Sequence, residues 1–235
     1  MRSPAREDNA YILHVRRYRE NSLLVEALTA SHGRLGLVSR AAARSRRSPS
    51  ETVQPFREVR LLFHGREDLQ TLQQAEPLGP VPLLAGERLI SGLYVNELMV
   101  RLTGRGEGDA GLYRLYGETV GGLTGAAPLE PLLRRFEVRL LEHLGYGVDF
   151  MTAADTSEAV DLEAEYAYEA EVGFLARALP SAAPRLRGRT LQALAGLAPF
   201  DETSLREGKR FMRWLLQRHL GERPLQSRAL FSAGG

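Results

Sequence analysis

With 235 residues, of which 43% are hydrophobic and 26% charged, and a formal net charge of +2, the chain has the composition of an ordinary globular protein of one or two domains. It contains no cysteine, which excludes disulfides, a thiol nucleophile and a thiolate metal site. No apolar run reaches the ~20 residues of a membrane span and no apolar leader follows Met1, so we expect a cytoplasmic protein without a membrane partner.

The first third of the chain alternates polar and apolar residues, which is typical of half-buried β-strands. In the first run we expect Tyr11, Leu13 and Val15 to face a core, and His14 and Arg16 to face solvent. Four further short runs follow, over residues 22–29, 34–40, 56–64 and 69–76. Five short strands within about seventy residues predict a small closed or partly closed barrel.

The connection between the third and fourth strands is unusually long, and its residues 40–50 include four arginines and no acidic residue. A turn or two of helix can form over residues 39–48, but loops beyond about 12–15 residues are uncommon and often functional. On a small barrel, such a loop predicts nucleic-acid binding through phosphates, whereas the alternative is an ordinary solvated surface. The arginines concerned, including one in the preceding hairpin, are Arg34, Arg40, Arg44, Arg46 and Arg47. Because few aromatic residues accompany them, we expect contacts to the backbone of the nucleic acid and little base stacking.

Prolines 77, 80 and 82 predict a domain boundary, giving a barrel domain over residues 1–80 and a helical domain over residues 81–235. Beyond the boundary the apolar period changes to that of helices, which are predicted over residues 87–104, 111–125, 129–147, 189–197 and 203–221. Gly145 is the predicted C-cap of the third helix. The last helix is predicted to be amphipathic, with a polar face of Arg206, Lys209, Arg210, Arg213 and Gln217.

No catalytic pattern stands out. The nucleophile motif G-x-S-x-G is absent, and the five histidines lack metal-binding spacing. The glycines of "TGRGEGDAG" follow a helix, so a flexible connection is favoured over a phosphate cradle. Residues 149–171 hold eight acidic residues and no basic one, yet they lack the spacing of a calcium loop and favour a strand pair with one solvated face. We therefore predict a protein that is not an enzyme and needs no metal or cofactor; a nuclease using a divalent ion is the alternative.

In their order along the chain, the blocks "SLLVEALTASHGRLGLVSRAAARSRR", "SGLYVNELMVRL", "LRRFEVRLLEHLGYG" and "GKRFMRWLLQRHLGERPLQSRALF" resemble the bacterial RecO family of recombination mediators, over residues 9–231. The resemblance implies an α+β chain: an N-terminal five-stranded OB-fold barrel followed by an α-helical domain. It also implies non-enzymatic DNA repair, with binding of single- and double-stranded DNA, strand annealing, contact with the acidic tail of the single-strand-binding protein SSB, and RecA loading with RecR. Where many members carry a four-cysteine zinc module, this chain has its acidic segment, at about 147–174.

The resemblance also suggests site residues. In the helical domain it adds to the DNA-binding arginines a basic helix face formed by Lys209, Arg210 and Arg213. A cation-rimmed apolar pocket suits the SSB tail, which ends in a phenylalanine carboxylate among acidic residues; the predicted rim is Arg134, Arg135 and Arg139. An ordinary solvated helix face is the alternative for that rim. The alternative function is an OB-fold module that binds structured RNA.

Overall fold

The computed structural model describes residues 4–19, 22–40, 52–65, 68–177 and 183–233. Contacts divide the chain into two compact units, Met1–Ala126 with Leu225–Gly235, and Ala127–Pro224. The first unit thus holds the strands of the N-terminal region together with the helices up to Ala126. The boundary predicted at residue 80 stays a prediction. The helical turn predicted over residues 39–48 lies largely outside the described residues.

Five strands of the first unit close into a barrel in the order β1-β2-β3-β5-β4. Strand β3 pairs in parallel with β5, while the other neighbours are antiparallel. A five-stranded Greek-key barrel of this kind is the OB-fold, so the predicted barrel is confirmed. Its strands are β1 Arg6–Tyr18, β2 Ser22–Thr29, β3 Gly33–Arg40, β4 Glu58–His64 and β5 Leu69–Pro77.

The interior of the barrel is apolar, but the residues of β1 that face it are not all the predicted ones. Ala10 and Ile12 face the core, and a β-bulge between Ile12 and His14 then brings Val15 to it. Tyr11 lies instead among aromatic side chains of a helix, as described below. Tyr11 therefore does not face the barrel interior as predicted. Leu13 is buried, at 1% exposure, but it lies outside the core cluster of the barrel, because one bulged residue reverses the alternation.

Helices α1 (Gly86–Leu102) and α2 (Ala110–Thr124) cover the outer face of β1. The ring of Tyr11 lies 5.0 Å from that of Tyr113 and 5.1 Å from that of Tyr116. Asn96 donates a hydrogen bond of 2.7 Å to the carbonyl of Leu13 and accepts one of 2.7 Å from the Tyr116 hydroxyl. Because burial raises the pKa of Tyr116, this hydroxyl stays protonated and remains a donor. Both faces of β1 are thus covered, which a half-buried strand would not require.

The connection between α1 and α2 is packed tightly onto the β2–β3 hairpin. A Cβ atom on Gly33 would lie 2.1 Å from the carbonyl oxygen of Glu107, and one on Gly108 would lie 2.2 Å from that of Ser31. The amide of Gly106 also donates a 3.1 Å hydrogen bond to the carbonyl of Arg34. The glycines serve this close approach of two backbone segments, so the prediction of a flexible connection was wrong.

The second unit contains α3 (Leu129–His143), α4 (Gly188–Leu194), α5 (Glu202–Leu220) and a three-stranded sheet in the order β7-β6-β8. Its strands are β6 Glu165–Glu169, β7 Gly173–Leu175 and β8 Leu186–Arg187. Tyr166, Ala167 and Tyr168 are all buried, whereas Glu165 and Glu169 are exposed at the ends of the strand. The predicted strand pair exists, but its one solvated face does not, because the acidic residues flank the strand.

The short helix α6 (Gln226–Ala233) was not predicted, and it belongs to the first unit. Its amino end is bound by Glu97 of α1, which accepts hydrogen bonds of 2.8 Å from the Gln226 amide and 2.9 Å from the Ser227 amide. The Ser227 hydroxyl donates a further bond of 2.7 Å. A carboxylate in this position accepts hydrogen bonds from the otherwise unpaired amides and lies favourably at the positive end of the helix dipole.

Among the described residues, no helix has the length and apolar character needed to cross a membrane.

We predict that the free energy of unfolding of the Glu97→Gln variant falls less than that of the parent when the pH is lowered. Burial acts to raise the pKa of Glu97, but the bonds from Ser227 and Gln226 and the nearby Arg101 outweigh it and hold the pKa below its ordinary 4.5. The ionised carboxylate therefore contributes stability above that value, and this contribution is lost as the pH falls through the lower pKa of the folded state. In urea unfolding, the variant should lose about 1 kcal/mol at pH 7 and differ little from the parent at pH 3.

Glu118→Gln is the matched control, because Glu118 is exposed on α2. It should unfold like the parent at both pH values. A deficit of Glu97→Gln that is equally large at pH 3 would contradict the role given to the carboxylate charge.

Candidate nucleic-acid interface

The long basic loop leaves the barrel at the same end as the turn between β1 and β2. Tyr18 lies opposite Ser22 in the β1–β2 pair, and Ser22 lies opposite Arg40 in the β2–β3 pair. The backbone of Arg40 is therefore separated from that of Tyr18 by one strand, or roughly 10 Å at the usual strand spacing. We call the surface formed by residues 16–19 and the last residue of β3 the hairpin end.

Three arginines of β1 and its turn make the hairpin end positive. Arg16, Arg17 and Arg19 are exposed, and no carboxylate among the described residues forms an ion pair with them. Because successive residues of a strand point to opposite sides, Arg16 and Arg17 place charge on both faces of the hairpin. These three arginines were not predicted from the sequence as binding residues. Their signal was present as "RRYRE", in which one acidic residue accompanies three arginines.

Tyr18 adds an aromatic surface to the hairpin end. The guanidinium carbon of Arg19 lies 5.1 Å from the centroid of the Tyr18 ring, and the ring is partly exposed. Arg19 adopts the left-handed backbone conformation, with φ of 55°. An aromatic ring under a cation can stack on a base.

Arg34 is not part of the hairpin end. It lies six residues before Arg40 on β3, which corresponds to about 20 Å along the strand. Its guanidinium donates hydrogen bonds of 2.7 Å to Glu26 and 2.9 Å to the carbonyl of Thr103, and its side chain is only 12% exposed. Arg105 pairs with the same Glu26 carboxylate. Arg34 thus serves the fold, and its selection as a DNA contact receives no support from the geometry.

The other arginines predicted for the barrel interface stay predictions. Arg44, Arg46 and Arg47 lie outside the described residues, and of Arg40 only the backbone is described. Its place at the end of β3 fixes where the loop that carries the other three begins.

In the second unit, α5 presents a separate basic face. Asp201 caps this helix by accepting a 2.7 Å hydrogen bond from the Ser204 amide. Lys209 is exposed but is paired with Glu130, at 2.7 Å between Nζ and Oε1. Arg210 donates a 3.3 Å hydrogen bond to the carbonyl of Arg185, and Arg213 is exposed. Of the three residues predicted on this helix, the two arginines are the ones with charge not paired to a described carboxylate.

The predicted rim for an acidic tail is only partly at the surface. Arg134 is 4% exposed and donates a 2.6 Å hydrogen bond to Glu137, which is 1% exposed. It also lies 3.6 Å from Glu130. The geometry gives the rim assignment of Arg134 no support, because its guanidinium forms a buried ion pair on its own helix. Arg135 and Arg139 are exposed on α3, and Arg139 pairs with Glu142 at 3.1 Å.

Carboxylates of the acidic segment hold its own turns. Asp155 accepts hydrogen bonds from the amides of Ala176 and Arg177, and the first of these bonds is the main cause of a pKa below the ordinary value. Asp149 and Asp161 each accept a bond from the amide two residues ahead. Within the described part of the chain, no three His, Asp or Glu side chains converge as a metal site would require.

Comparison with known proteins identifies relatives over nearly the whole length. The family model "Recombination protein O N terminal" matches residues 1–81, and "Recombination protein O C terminal" matches residues 83–229. The chain is 43% identical over 224 residues to "DNA repair protein RecO" of Nitrosococcus oceani, covering 94% of this chain and 90% of the relative. The proteins of the same name from Hamiltonella defensa and Alkalilimnicola ehrlichii are 41% and 44% identical, over 94% of this chain and 95% and 89% of theirs. The resemblance drawn from the sequence blocks is confirmed.

We predict that the adjacent Arg134 and Arg135 differ sharply on replacement by alanine. Arg134→Ala should lower the free energy of unfolding by about 3–5 kcal/mol, because Glu137 loses the cation with which it pairs in the interior. Arg135→Ala should change it by less than about 0.5 kcal/mol, as at an ordinary exposed site. Urea unfolding of both variants measures the difference. An Arg134→Ala protein as stable as the parent would contradict the structural role of this ion pair.

Proposed function

This chain belongs to the RecO family of DNA repair proteins, and on that premise we propose that it binds DNA without covalent catalysis and anneals complementary strands. The observation that carries the proposal is the hairpin end. There, exposed arginines that are not paired with described carboxylates lie beside the start of the connection from β3 to β4, whose residues 40–50 include four arginines and no acidic residue. Guanidinium groups match phosphate oxygens in shape and keep their charge at every physiological pH.

The proposed annealing rests on neutralised charge. Two single strands repel each other through their phosphates, and arginines that bind those phosphates release condensed cations and lower the repulsion. Contacts to the backbone position a strand but leave the base edges free to pair. The process therefore needs neither a nucleotide cofactor nor a metal, and no nucleophile is assigned in this protein.

The partners that the family resemblance implies are part of the proposal. The protein would be recruited by the acidic tail of SSB, for which the exposed Arg135 and Arg139 on α3 supply positive charge. With RecR it would help RecA to replace SSB on single-stranded DNA. A protein with these partners works at the nucleoid in the cytoplasm.

We predict that two sets of alanine replacements each flatten the salt dependence of binding to single-stranded DNA. One set is Arg16, Arg17 and Arg19, and the other is Arg44, Arg46 and Arg47. Each phosphate contact contributes about 0.7 to the slope of log affinity against log salt for a single strand, so the loss of three contacts should reduce the slope by about 2. Fluorescence anisotropy of a labelled oligonucleotide across a salt series measures it.

The matched control replaces Arg60 and Arg114. Arg60 lies opposite Asn9, nine residues along β1 from Tyr18, and Arg114 is exposed on α2. This variant should keep the parental slope. Competition with RNA of equal length tests the alternative function, and annealing of SSB-coated complementary strands tests the mediator role. Parental slopes in both triple variants would remove the hairpin end and its loop from the DNA interface.

A further inference from the structure

A row of cationic and aromatic side chains runs along α5. Arg210, Trp214 and Arg218 follow one another at intervals of four residues, so they lie on the same side of the helix. Each step advances about 6 Å along the axis. Arg210 and Arg218 are exposed, and Trp214 is partly exposed between them. We call these three residues the Trp214 row.

The indole of Trp214 is supported from behind by buried aromatic rings. Its ring lies 6.2 Å from that of Phe211 at an interplanar angle of 25°, and 5.8 Å from that of Tyr168 at 79°. Phe211 is 0% exposed and Tyr168 7% exposed. A ring packed in this way is held in place, because inward movement would displace the aromatic core of the unit. Its position is therefore fixed before any ligand arrives.

The guanidinium of Arg218 lies over the ring of Trp214. Its guanidinium carbon lies 5.2 Å from the ring centroid, within the range of a cation–π contact, for which tryptophan is the best aromatic partner. Arg218 is exposed, and no described carboxylate forms an ion pair with it. The result is a flat, positively charged surface that is already ordered. Such a surface costs little conformational entropy when it binds a second planar group.

The geometry points to the Trp214 row as a binding site for an unpaired nucleotide of single-stranded DNA. The base stacks on the layer formed by Arg218 and Trp214, while Arg210 and Arg218 contact the phosphates on either side. Bases in a duplex are stacked on each other and cannot offer a free face, so this row favours single strands over duplex. The inference rests on the proposed DNA binding and adds to it a residue that distinguishes unpaired from paired DNA.

An acidic peptide would also be attracted by the two arginines. The acidic tail considered above carries a single aromatic ring, at its terminal phenylalanine, whereas in a single strand every base has a π-face and a phosphate attached. The chemistry of the row therefore fits a nucleotide better than a carboxylate-rich tail, and the experiment below separates the two.

The test uses the fact that Trp214 is the only tryptophan in the chain. A single-stranded oligothymidylate is titrated into the intact protein, and its label reports binding by anisotropy while Trp214 fluorescence reports stacking. We expect strong quenching by this strand and little by an abasic phosphodiester strand, by duplex DNA of equal length, or by an acidic peptide that ends in phenylalanine. Equal quenching by the duplex or the peptide would overturn the inference.

Two variants complete the test. Trp214→Leu should weaken binding of the oligothymidylate by about tenfold, the effect of losing one stacked base, and leave the abasic strand within about twofold. Trp214→Phe should recover most of the loss, because it keeps an aromatic ring, and both variants are first compared with the parent in urea unfolding. A Trp214→Leu deficit equal for both strands, or absent for both, would refute stacking.

Failure of this inference and failure of the proposed function give different results. If the labelled strand binds and Trp214 fluorescence does not change, the Trp214 row is not the site, while DNA binding stands. If the labelled strand does not bind at low salt, the proposed DNA binding itself is wrong, and the inference falls with it.

Discussion

The parallel pairing of β3 with β5 is the constraint on which the candidate site depends. It closes the barrel through Gly36 opposite Leu69 and Ser39 opposite Leu72. Since β5 occupies the free edge of β3, β4 cannot pair there and must lie between β5 and β1. Arg40 at the end of β3 and Glu58 at the start of β4 are therefore not on neighbouring strands, so a two-residue hairpin turn cannot join them. The topology thus explains why this connection is longer than a hairpin turn, but it does not explain its positive charge.

Pairing with carboxylates separates the arginines that stabilise the fold from those that are available to bind a ligand. Arg134 is buried and the side chain of Arg34 is only 12% exposed, and each has a glutamate at hydrogen-bonding distance, Glu137 and Glu26 respectively. A guanidinium without such a partner could not be buried, because the lost hydration would not be replaced. Arg16, Arg17, Arg19 and Arg218 are exposed. The same residue type thus stabilises the protein in one place and provides positive potential in another.

The sequence predicts the architecture well because hydrophobic period reports local structure. The barrel strands and helices α1 to α5 each appear as a pattern in the sequence. Gly145, predicted as the C-cap of α3, follows the C-cap residue Leu144 and has the positive φ of 80° that favours glycine at a helix end. The individual roles of arginines were harder to predict, since Arg34 meets Thr103 only through tertiary contact. The bulge at Leu13 was also hard to predict, because it reverses the alternation of β1 without altering the composition of the strand. Helix α6 was hard to predict because it is stabilised by Glu97, which is distant in sequence.

The two proposed DNA-binding surfaces differ in what they can recognise, and the proposed annealing uses both properties. In this proposal the hairpin end binds phosphates whether or not the bases are paired. The Trp214 row binds an unpaired base and would lose that base when a complementary strand pairs with it. Stacking on one aromatic side chain stabilises a base by about 1–3 kcal/mol, whereas each new step of duplex gains about 1.4 kcal/mol from stacking alone. The free energy gained from a few paired steps therefore exceeds that of stacking one base on Trp214. The row can select single strands without opposing the pairing that follows, because its hold on each strand is small compared with the duplex that replaces it.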